Sequence, residues 1–457
     1  MTDVTPGGQA AAGNAAGNAA GNAAGNAAGN AAGNAAGRAA GPGAALAGCR
    51  VLELSYSAAA VAGRVLADLG AEVIKIEPPG GERARQAEPA FDGADGQRHG
   101  FAFLAFNLGK RSVTLDLGSA AGQEILGRLA AASDIVLLDW ERAGTPAEAD
   151  RLRALCTDAN PRLVFCEIWP YGRGEHEDTV ATDLTVQAQG GHLYLNGDTD
   201  RPPTRVSAPV AVLAGGTEAA SAALMAYYHA LRTGEGQRVD VSMQACVIWT
   251  LLNTTMTWQC MGINELRGGA VKRERGNPFF TRLVWPCKDG FIQFGPVGGG
   301  GGKARDISLS ALISWLREEG FFDEILLAHD WNGPNRFSVP QDAYDAVTEV
   351  IGAFIATRTI DELIERGMKQ RILLAPVYTV PQLLQAEQLV ARGFFRTVPD
   401  DRRGATALHP GPFARLSETP LVDLRPAPGP GADSGEVLAA AGLSAAEISA
   451  LRHAEVI

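Results

Sequence analysis

Short apolar strands and one amphipathic helix follow each other between residues 50 and 77. Residues 50–54 (RVLEL) and 72–77 (EVIKIE) are apolar runs of strand length, and a Pro-Pro pair stops the second. Between them, apolar side chains recur at helical spacing from Val65 to Leu69, and Gly70 is placed to end that helix. Two strands joined by one helix predict a right-handed βαβ unit with a parallel sheet. This pattern indicates the α/β class but no function by itself.

The same patterns continue towards the C-terminus. Residues 208–237 are predicted as a loop, a glycine pair, a long alanine-rich helix and a turn. A hairpin is predicted at residues 283–294. Further helices are predicted at residues 123–132, 247–256, 309–319, 343–357 and 444–453, and further strands at residues 134–138, 160–168, 238–243 and 373–380.

Composition narrows the class of protein. The chain has 457 residues, of which 46% are hydrophobic, and a net charge of −11. That length allows two or three domains, and the acidic balance argues against a nucleic-acid partner, which needs a basic surface. Six scattered cysteines without a CxxC pair predict free thiols in the cytoplasm, with neither disulfides nor a metal site. No apolar run approaches the ~20 residues of a membrane span, so we expect no membrane partner.

The first 41 residues have a composition of their own. From residue 10 they repeat AAGN and end in AAGRAAGP. Glycine at every fourth position opposes a helix, and the segment offers no large apolar side chain for a core. It also lacks the basic start and leucine-rich core of a signal peptide. We therefore expect a flexible appendage whose removal leaves thermal stability and association unchanged.

Two segments carry a family resemblance. The run LADLGAEVIKIEPPGGE, followed by NLGKRSVTLDL, resembles the N-terminal signature of the family III CoA-transferases. That superfamily includes formyl-CoA transferase, carnitine CoA-transferase and the α-methylacyl-CoA racemases. The resemblance implies coenzyme A thioesters and a carboxylic acid as substrates, with no metal. Segments at 160–168, 208–243, 283–294 and 381–395 agree with the family in the same order, so that the resemblance covers roughly residues 48–457.

The resemblance also implies an architecture. Family members have a large Rossmann-like α/β domain with a parallel sheet and a smaller α+β domain, and two chains interlock as a dimer. On this chain the family pattern predicts a tail at 1–47, a large CoA-binding domain at 48–243, and a linker at 244–282. The small domain follows at 283–375, and residues 376–457 form a second linker and return to the large domain.

Candidate CoA-binding residues follow from the matching positions. The loop after the first strand touches CoA in the family, although its usual Gly-Pro pair is missing here. Where the family has an Asn-Phe pair, this chain reads Asp139-Trp140-Glu141-Arg142, with two acids and an indole able to stack on adenine. Lys110 and Arg111 either face a phosphate or only fix the turn before the next strand. The candidate set is Tyr56, Ser57, Ala58, Lys75, Lys110, Arg111, Leu115 and Trp140.

The catalytic positions depart from the family. The transferases use an aspartate just before the long helix, which forms an acyl-aspartyl anhydride and then an aspartyl-CoA thioester. Counting back from Gly216 and from Gly236-Gln237 places Val212 there, and valine cannot act as a nucleophile. The racemases place a histidine base where this chain has Thr182, which has no suitable pKa. Asp183 matches a family aspartate and is the remaining catalytic candidate, with a helix N-cap as the structural alternative.

Three functions therefore stay open. The first is a CoA-transferase that moves CoA between carboxylic acids, acting as a homodimer. The second is a racemase or related isomerase of acyl-CoA. The third is a non-catalytic subunit paired with an aspartate-bearing homologue. The sequence alone predicts that the isolated chain forms no acyl-aspartyl intermediate and that Val212→Asp creates one. The glycine-rich loop at 297–305 is predicted either as an active-site lid or as a plain hairpin tip.

Overall fold

The computed structural model describes residues 43–457 except 176, 274–278, 297–302, 332–338, 401, 403–405, 412 and 424. The AAGN tail and most of the glycine-rich loop at 297–305 lie outside the described residues, so the predictions made for them stay predictions.

Strands and helices alternate through the first half of the chain. The strands are β1 (Arg50–Leu54), β2 (Glu72–Glu77), β3 (Ala90–Asp92), β4 (Arg98–Gly100), β5 (Arg111–Thr114), β6 (Ile135–Asp139), β7 (Val164–Trp169), β8 (Gln237–Ser242), β9 (Val271–Arg273), β10 (Phe280–Arg282), β11 (Val284–Cys287), β12 (Gly290–Phe294), β13 (Leu374–Val377), β14 (Phe395–Val398) and β15 (Ala407–Pro410). The helices are α1 (Ala58–Asp68), α2 (Phe101–Phe106), α3 (Ala120–Ala131), α4 (Trp140–Ala143), α5 (Pro146–Ala159), α6 (Asp183–Gln189), α7 (Val210–Thr233), α8 (Met243–Trp249), α9 (Leu252–Met261), α10 (Lys303–Glu318), α11 (Gln341–Ile355), α12 (Ile360–Gln370), α13 (Val380–Gln385), α14 (Glu387–Ala391), α15 (Ser434–Ala440) and α16 (Ala445–His453).

A six-stranded parallel sheet forms the large domain, with the strand order β5-β2-β1-β6-β7-β8. Val51 of β1 pairs with Val73 of β2 on one side and with Ile135 of β6 on the other. The chain leaves β1 through α1 towards β2, and it crosses back through α3 from β5 to β6. The direction of winding therefore reverses between β1 and β6, as in a doubly wound α/β fold. The predicted βαβ unit and the α/β class are confirmed.

Helices cover both faces of this sheet, as parallel strands require. On one face, α1 and α7 pack over Val51, Val73 and Ile135. On the other face, Leu52, Ile74 and Val136 pack in a second core that also receives α3, α5, α15 and α16. Each strand of the centre is apolar on both sides, which is why its residues read as continuous apolar runs.

Helix α7 is longer and more apolar than any segment that was predicted from the sequence. Among the described helices it alone is long and apolar enough, by length and composition, to cross a bilayer. It packs as a core helix. A Cβ on Gly216 would lie 2.5 Å from the carbonyl oxygen of Ala58, so this glycine lets α7 approach the start of α1. Helix α7 also begins at Val210, so that residues 210–214, predicted as loop, are helical.

The C-terminal segment contributes to the same domain. The amide of Ser112 in β5 donates to the Asp433 carboxylate at 2.9 Å, and the amide of Asp116 donates to the carbonyl of Val456 at 2.8 Å. Between the two parts lies a three-stranded antiparallel sheet, β11-β12-β13, with helices packed on it around Trp285, Ile292 and Phe354. The segment predicted as a linker at 244–282 contains α8 and α9 and the short strands β9 and β10.

Candidate active site

The carboxyl ends of β1, β2 and β6 meet at the point where the winding of the sheet reverses. In open α/β sheets this edge is where ligands bind. Three segments gather there: Ser55–Ser57 after β1, the Pro-Pro-Gly-Gly turn and Arg83 after β2, and α4 after β6. The candidate residues Tyr56, Ser57, Ala58 and Trp140 all lie on these segments, so the structure brings them together.

Asp139 joins two of the segments. It is the last residue of β6 and fully buried. One carboxylate oxygen, Oδ2, accepts the backbone amides of Tyr56 at 3.0 Å and Ser57 at 2.9 Å, while Oδ1 accepts the amide of Arg142 at 3.1 Å. Burial raises the pKa of the Asp139 carboxyl, against the stabilising effect of these three amides. The Asp139 carboxylate therefore points into the protein and does not face the nucleotide that is expected at this edge.

Two guanidinium groups lie near the ring of Tyr56. Arg83 is 4.9 Å from the ring centroid and Arg142 is 6.0 Å from it. Arg83 also pairs with Glu141 at 3.7 Å. Trp140 is only partly buried and packs against both cores of the large domain. The edge of the sheet therefore combines aromatic surface with positive charge, which suits a nucleotide ligand.

A cleft of about 420 Å³ opens next to these residues. Leu115, a candidate CoA contact, lines it. Arg142 contributes a buried Nε that has no hydrogen-bond partner among the residues that the structure describes. Arg151 reaches the cleft from α5 and pairs with Glu148 at 2.6 Å. The lining is completed by Pro78, Asp116, Leu117, Gly118 and Gln123.

Lys75, a candidate CoA contact, and Lys110, predicted either to face a phosphate or to fix a turn, both lie inside the protein. Both side chains are fully buried. Lys75 pairs with Glu53 at 2.9 Å and with Glu82 at 3.0 Å, and Lys110 pairs with Glu53 at 2.6 Å. Burial alone would raise the pKa of the Glu53 carboxyl, but Lys110 and Lys75 hold it below its usual value. Burial raises the pKa of Glu82 to about 7, against the attraction of Lys75.

Arg111 is also committed to ion pairs. Its guanidinium contacts Glu72 at 3.1 Å, Asp433 at 3.3 Å and Glu436 at 2.9 Å. These contacts tie β5 to β2 and to the C-terminal helix α15. For Arg111 and Lys110, the geometry favours the structural alternative over contact with a phosphate.

Asp183 and Val212 lie next to each other although 28 residues separate them in the sequence. Helix α6 is capped by Thr182, whose hydroxyl accepts the Thr185 amide, so the idea that Asp183 caps its own helix is wrong. The Asp183 carboxylate instead accepts the backbone amide of Val212 at 3.0 Å through Oδ1, and the side-chain amide of Gln187 at 2.5 Å through Oδ2. Asp183 thus satisfies a free amide in the first turn of α7.

The first turn of α7 also lies near the start of α1. Val212 is 8% exposed and sits one turn before Gly216, which contacts Ala58. Glu218, one and a half turns further along α7, is exposed. His192 interacts with Asn196 through its ring nitrogen at 3.1 Å. The Asp183 carboxylate therefore contacts the residue at the expected nucleophile position.

No group of three or more His, Cys, Asp or Glu side chains that could hold a metal ion occurs among the residues that the structure describes.

Comparison with known proteins identifies the family of the chain. The sequence model of CoA-transferase family III matches residues 46–434.

The chain belongs to CoA-transferase family III.

Its relatives and structural neighbours support the assignment over most of their length. The chain is 28% identical over 403 residues to succinyl-CoA:(R)-benzylsuccinate CoA-transferase subunit BbsE of Thauera aromatica, covering 88% of this chain and 95% of that protein. It is 28% identical over 427 residues to formyl-CoA:oxalate CoA-transferase of Streptomyces coelicolor, covering 90% and 99%. The crystal structure of a CAIB/BAIF family protein from Brucella suis superposes with a TM-score of 0.73 at 25% identity, covering 87% of this chain and all of that one.

Sequence reasoning missed three residues of the site. Asp139 was noted only as one of two acids at this position, and Arg142 and Arg151 were not chosen as ligand contacts. Arg142 could have been found, because it follows the end of a predicted central strand, where ligands bind in this class of fold. Arg151 could not, because its distance from the sheet edge depends on how α5 packs.

Proposed function

We propose that this chain binds acyl-CoA thioesters at the carboxyl edge of its parallel sheet and transfers CoA between carboxylic acids, with Asp183 as the acyl acceptor. The observation that carries this proposal is the hydrogen bond from the Val212 amide to the Asp183 carboxylate. It supports a carboxylate at the helix start where the family uses an aspartate, although residue 212 itself has none.

The cleft beside Arg142 is the proposed site for the CoA nucleotide. Its volume of about 420 Å³ falls in the ordinary range for small-molecule sites. CoA carries several phosphate charges, and Arg142, which lines the cleft, supplies a guanidinium that can pair with a phosphate. Pro78, which is partly exposed, adds apolar surface for the adenine. Because the protein is acidic overall, such a local basic group is needed for a polyanion to bind.

The chemistry proposed for Asp183 starts with attack on the thioester. A carboxylate oxygen bonds to the thioester carbonyl carbon, the C–S bond breaks, and CoA leaves as a thiolate, which gives an acyl-aspartyl anhydride. The thiolate then attacks the aspartyl carbonyl, which releases the donor acid and leaves an aspartyl-CoA thioester. The acceptor carboxylate repeats the two steps in reverse order. Amide groups at the first turn of α7 are suited to stabilising the negative charge that develops.

A second candidate function is a non-catalytic subunit that pairs with an aspartate-bearing homologue. Val212 favours it, and so does the fact that both oxygens of Asp183 already accept hydrogen bonds. The protein BbsE of Thauera aromatica is itself described as a subunit. An isomerase is less well supported, because Thr182 is engaged as a helix cap and offers no base for proton abstraction.

Exposed apolar side chains support association with a second copy of the chain. Thr257 is the one buried residue of α9, whereas its apolar side chains face outward. Apolar residues of α7 and α8, two helices that pack against each other, are exposed as well. The set is Met225, Tyr228, Leu231, Trp249, Leu252, Met256, Trp258 and Met261. A surface with this many large apolar residues is typical of a protein interface, and we propose that it belongs to the homodimer.

Titration calorimetry with succinyl-CoA tests the binding claim, because several relatives are named for that thioester. We expect binding that weakens as salt rises, since salt screens charge–charge contacts. Arg142→Gln should weaken binding about tenfold or more, as loss of a charge-assisted hydrogen bond does. The matched control is Arg128→Gln on α3, whose partner is Glu124 and which lies outside the cleft lining. No heat from the wild type at low salt would contradict the proposal.

A further inference from the structure

We infer that Asp139 is a positioning residue, which holds the Tyr56–Ser57 loop and Arg142 in the fixed relation that CoA binding needs. The inference rests on the proposed function, since it concerns affinity for CoA. Its starting point is that one fully buried carboxylate accepts amides from two different segments of the sheet edge.

The geometry requires that both oxygens of the Asp139 side chain accept hydrogen bonds. Oδ2 faces the amides of Tyr56 and Ser57, and Oδ1 faces the amide of Arg142. An ionised carboxylate accepts at both oxygens, whereas an asparagine presents one oxygen and one NH₂ group. At residue 139 an asparagine would turn a donor towards one of the two segments. The aspartate is therefore suited to holding both segments at once.

The two segments carry the groups that the proposed CoA site uses. Arg142 lines the cleft, and its guanidinium lies 6.0 Å from the Tyr56 ring. Asp139, which is buried in the sheet, fixes the backbone of Tyr56 and of Arg142 through hydrogen bonds to their amides. Without this link, the backbones of α4 and of the loop after β1 would lose three hydrogen bonds, and the side-chain contact between Arg142 and Tyr56 would remain. The ligand would then meet a site whose two sides move more freely, and it would have to order them on binding.

Two substitutions distinguish the contact of Asp139 with the loop after β1 from its role as the N-cap of α4. Asp139→Asn keeps the size of the side chain and loses an acceptor on one side. Asp139→Ser keeps a good N-cap for the Arg142 amide but is too short to reach the loop after β1. The matched control is Asp134→Asn at the other end of the same strand region, where the carboxylate accepts the Arg50 amide at 2.8 Å, far from the cleft lining.

The experiment measures amide hydrogen exchange and the affinity for free coenzyme A on the full chain. In Asp139→Ser we expect faster exchange at Tyr56 and Ser57 with protection kept at Arg142. We expect the Kd for CoA to rise about tenfold in both Asp139 variants, which corresponds to about 1.4 kcal/mol. Asp134→Asn should leave both the exchange of these amides and the Kd unchanged, even if its melting temperature falls.

The outcomes are distinguishable. Unchanged exchange at Tyr56 and Ser57 in Asp139→Ser would overturn the inference, and so would a Kd within twofold of the wild type in both variants. A wild type that binds no coenzyme A at low salt would instead contradict the proposed function, whatever the Asp139 variants do. Should Asp139→Asn fail to fold, the Asp139→Ser measurements decide alone, because that variant retains the helix cap.

Discussion

At the scale of single residues, the site is made by contacts that join distant parts of the sequence. Counting along the chain places Val212 at the position of the family nucleophile, and this assignment stays a prediction. Counting could not show that Asp183 lies against the same turn of α7, since that contact depends on how α6 packs beside α7. The same limit hid Asp139, whose partners are backbone amides more than 80 residues earlier. The residue types were visible in the sequence, but their partners were not.

Replacing Asp183 tests its structural contact with α7. Asp183→Ala should lower the free energy of unfolding by about 1–2 kcal/mol, because an amide in the first turn of α7 loses its acceptor. Asp183→Asn should cost less, since its side-chain oxygen can still accept the Val212 amide. Urea denaturation of both variants and the wild type gives these values. Equal stability of Asp183→Ala and the wild type would mean that the hydrogen bond contributes nothing.

At the scale of elements, the strands were predicted well and the burial of their charges was not. The limits of β1 and β2 agree with the sequence prediction, because central parallel strands are apolar on both faces. Lys75 in β2 was predicted as a CoA contact. It is buried because α1 leaves room for the Glu53 carboxylate at Gly63, and an ion pair can form in that space. The pattern of apolar and charged residues along a strand does not show whether a charged side chain faces water or pairs with a buried charge.

Gly63→Ala tests this arrangement. A Cβ at residue 63 would lie 1.8 Å from Glu53 Oε2, so the carboxylate must move away from Lys110. Breaking a buried ion pair costs about 3–5 kcal/mol, and we expect a loss of stability of that order. The control is Gly127→Ala in α3, where the nearest atom would be 3.7 Å away. That change should be neutral or stabilising by up to about 1 kcal/mol, since alanine favours helix. Equal effects of the two substitutions would rule out the steric explanation.

The ion pairs of Lys75 with Glu53 and Glu82 also predict a pH dependence of stability. The pKa of Glu82 is raised to about 7 from an ordinary value of 4.5. The folded state therefore holds this proton more tightly than the unfolded chain. The resulting stabilisation is complete below pH 4.5 and is lost as the pH rises to 7. One pKa unit corresponds to about 1.4 kcal/mol, so the contribution changes by about 3 kcal/mol. Glu82→Gln should lack this change. A stability difference between variant and wild type that does not vary from pH 4.5 to 7 would disprove the shift.

At the scale of the whole molecule, the family resemblance supplied what periodicity could not. Apolar patterns gave the strands and helices, but the order β5-β2-β1-β6-β7-β8 follows from long-range pairing. The contact of residues 433–456 with β5 was expected only from the family. The apolar surface of α7, α8 and α9 was not foreseen at all, because its residues lie at spacings that also suit a buried helix face.

Sedimentation velocity tests the proposed dimer. We expect the wild type to sediment as a dimer and Trp258→Asp to shift towards the monomer, since the charge would be buried in the interface. Trp258 is 60% exposed, so the folded chain alone should tolerate the change. The control is Val180→Asp, a residue that is 93% exposed and distant in sequence from the α7–α9 surface. A wild type that stays monomeric at all concentrations would contradict the proposal.

The most direct test of the central claim is to identify the residue that becomes acylated. The wild type, Asp183→Asn and Val212→Asp are each incubated with succinyl-CoA, treated with hydroxylamine, and mapped by peptide mass spectrometry. The sequence alone predicts no adduct on the wild type, whereas the contact between Asp183 and Val212 leads us to expect a hydroxamate on Asp183. We expect no hydroxamate at residue 183 in Asp183→Asn, and we expect residue 212 to be able to take over in Val212→Asp. Binding of succinyl-CoA by the wild type without any adduct on Asp183 would contradict catalysis by this chain alone and would favour the non-catalytic subunit.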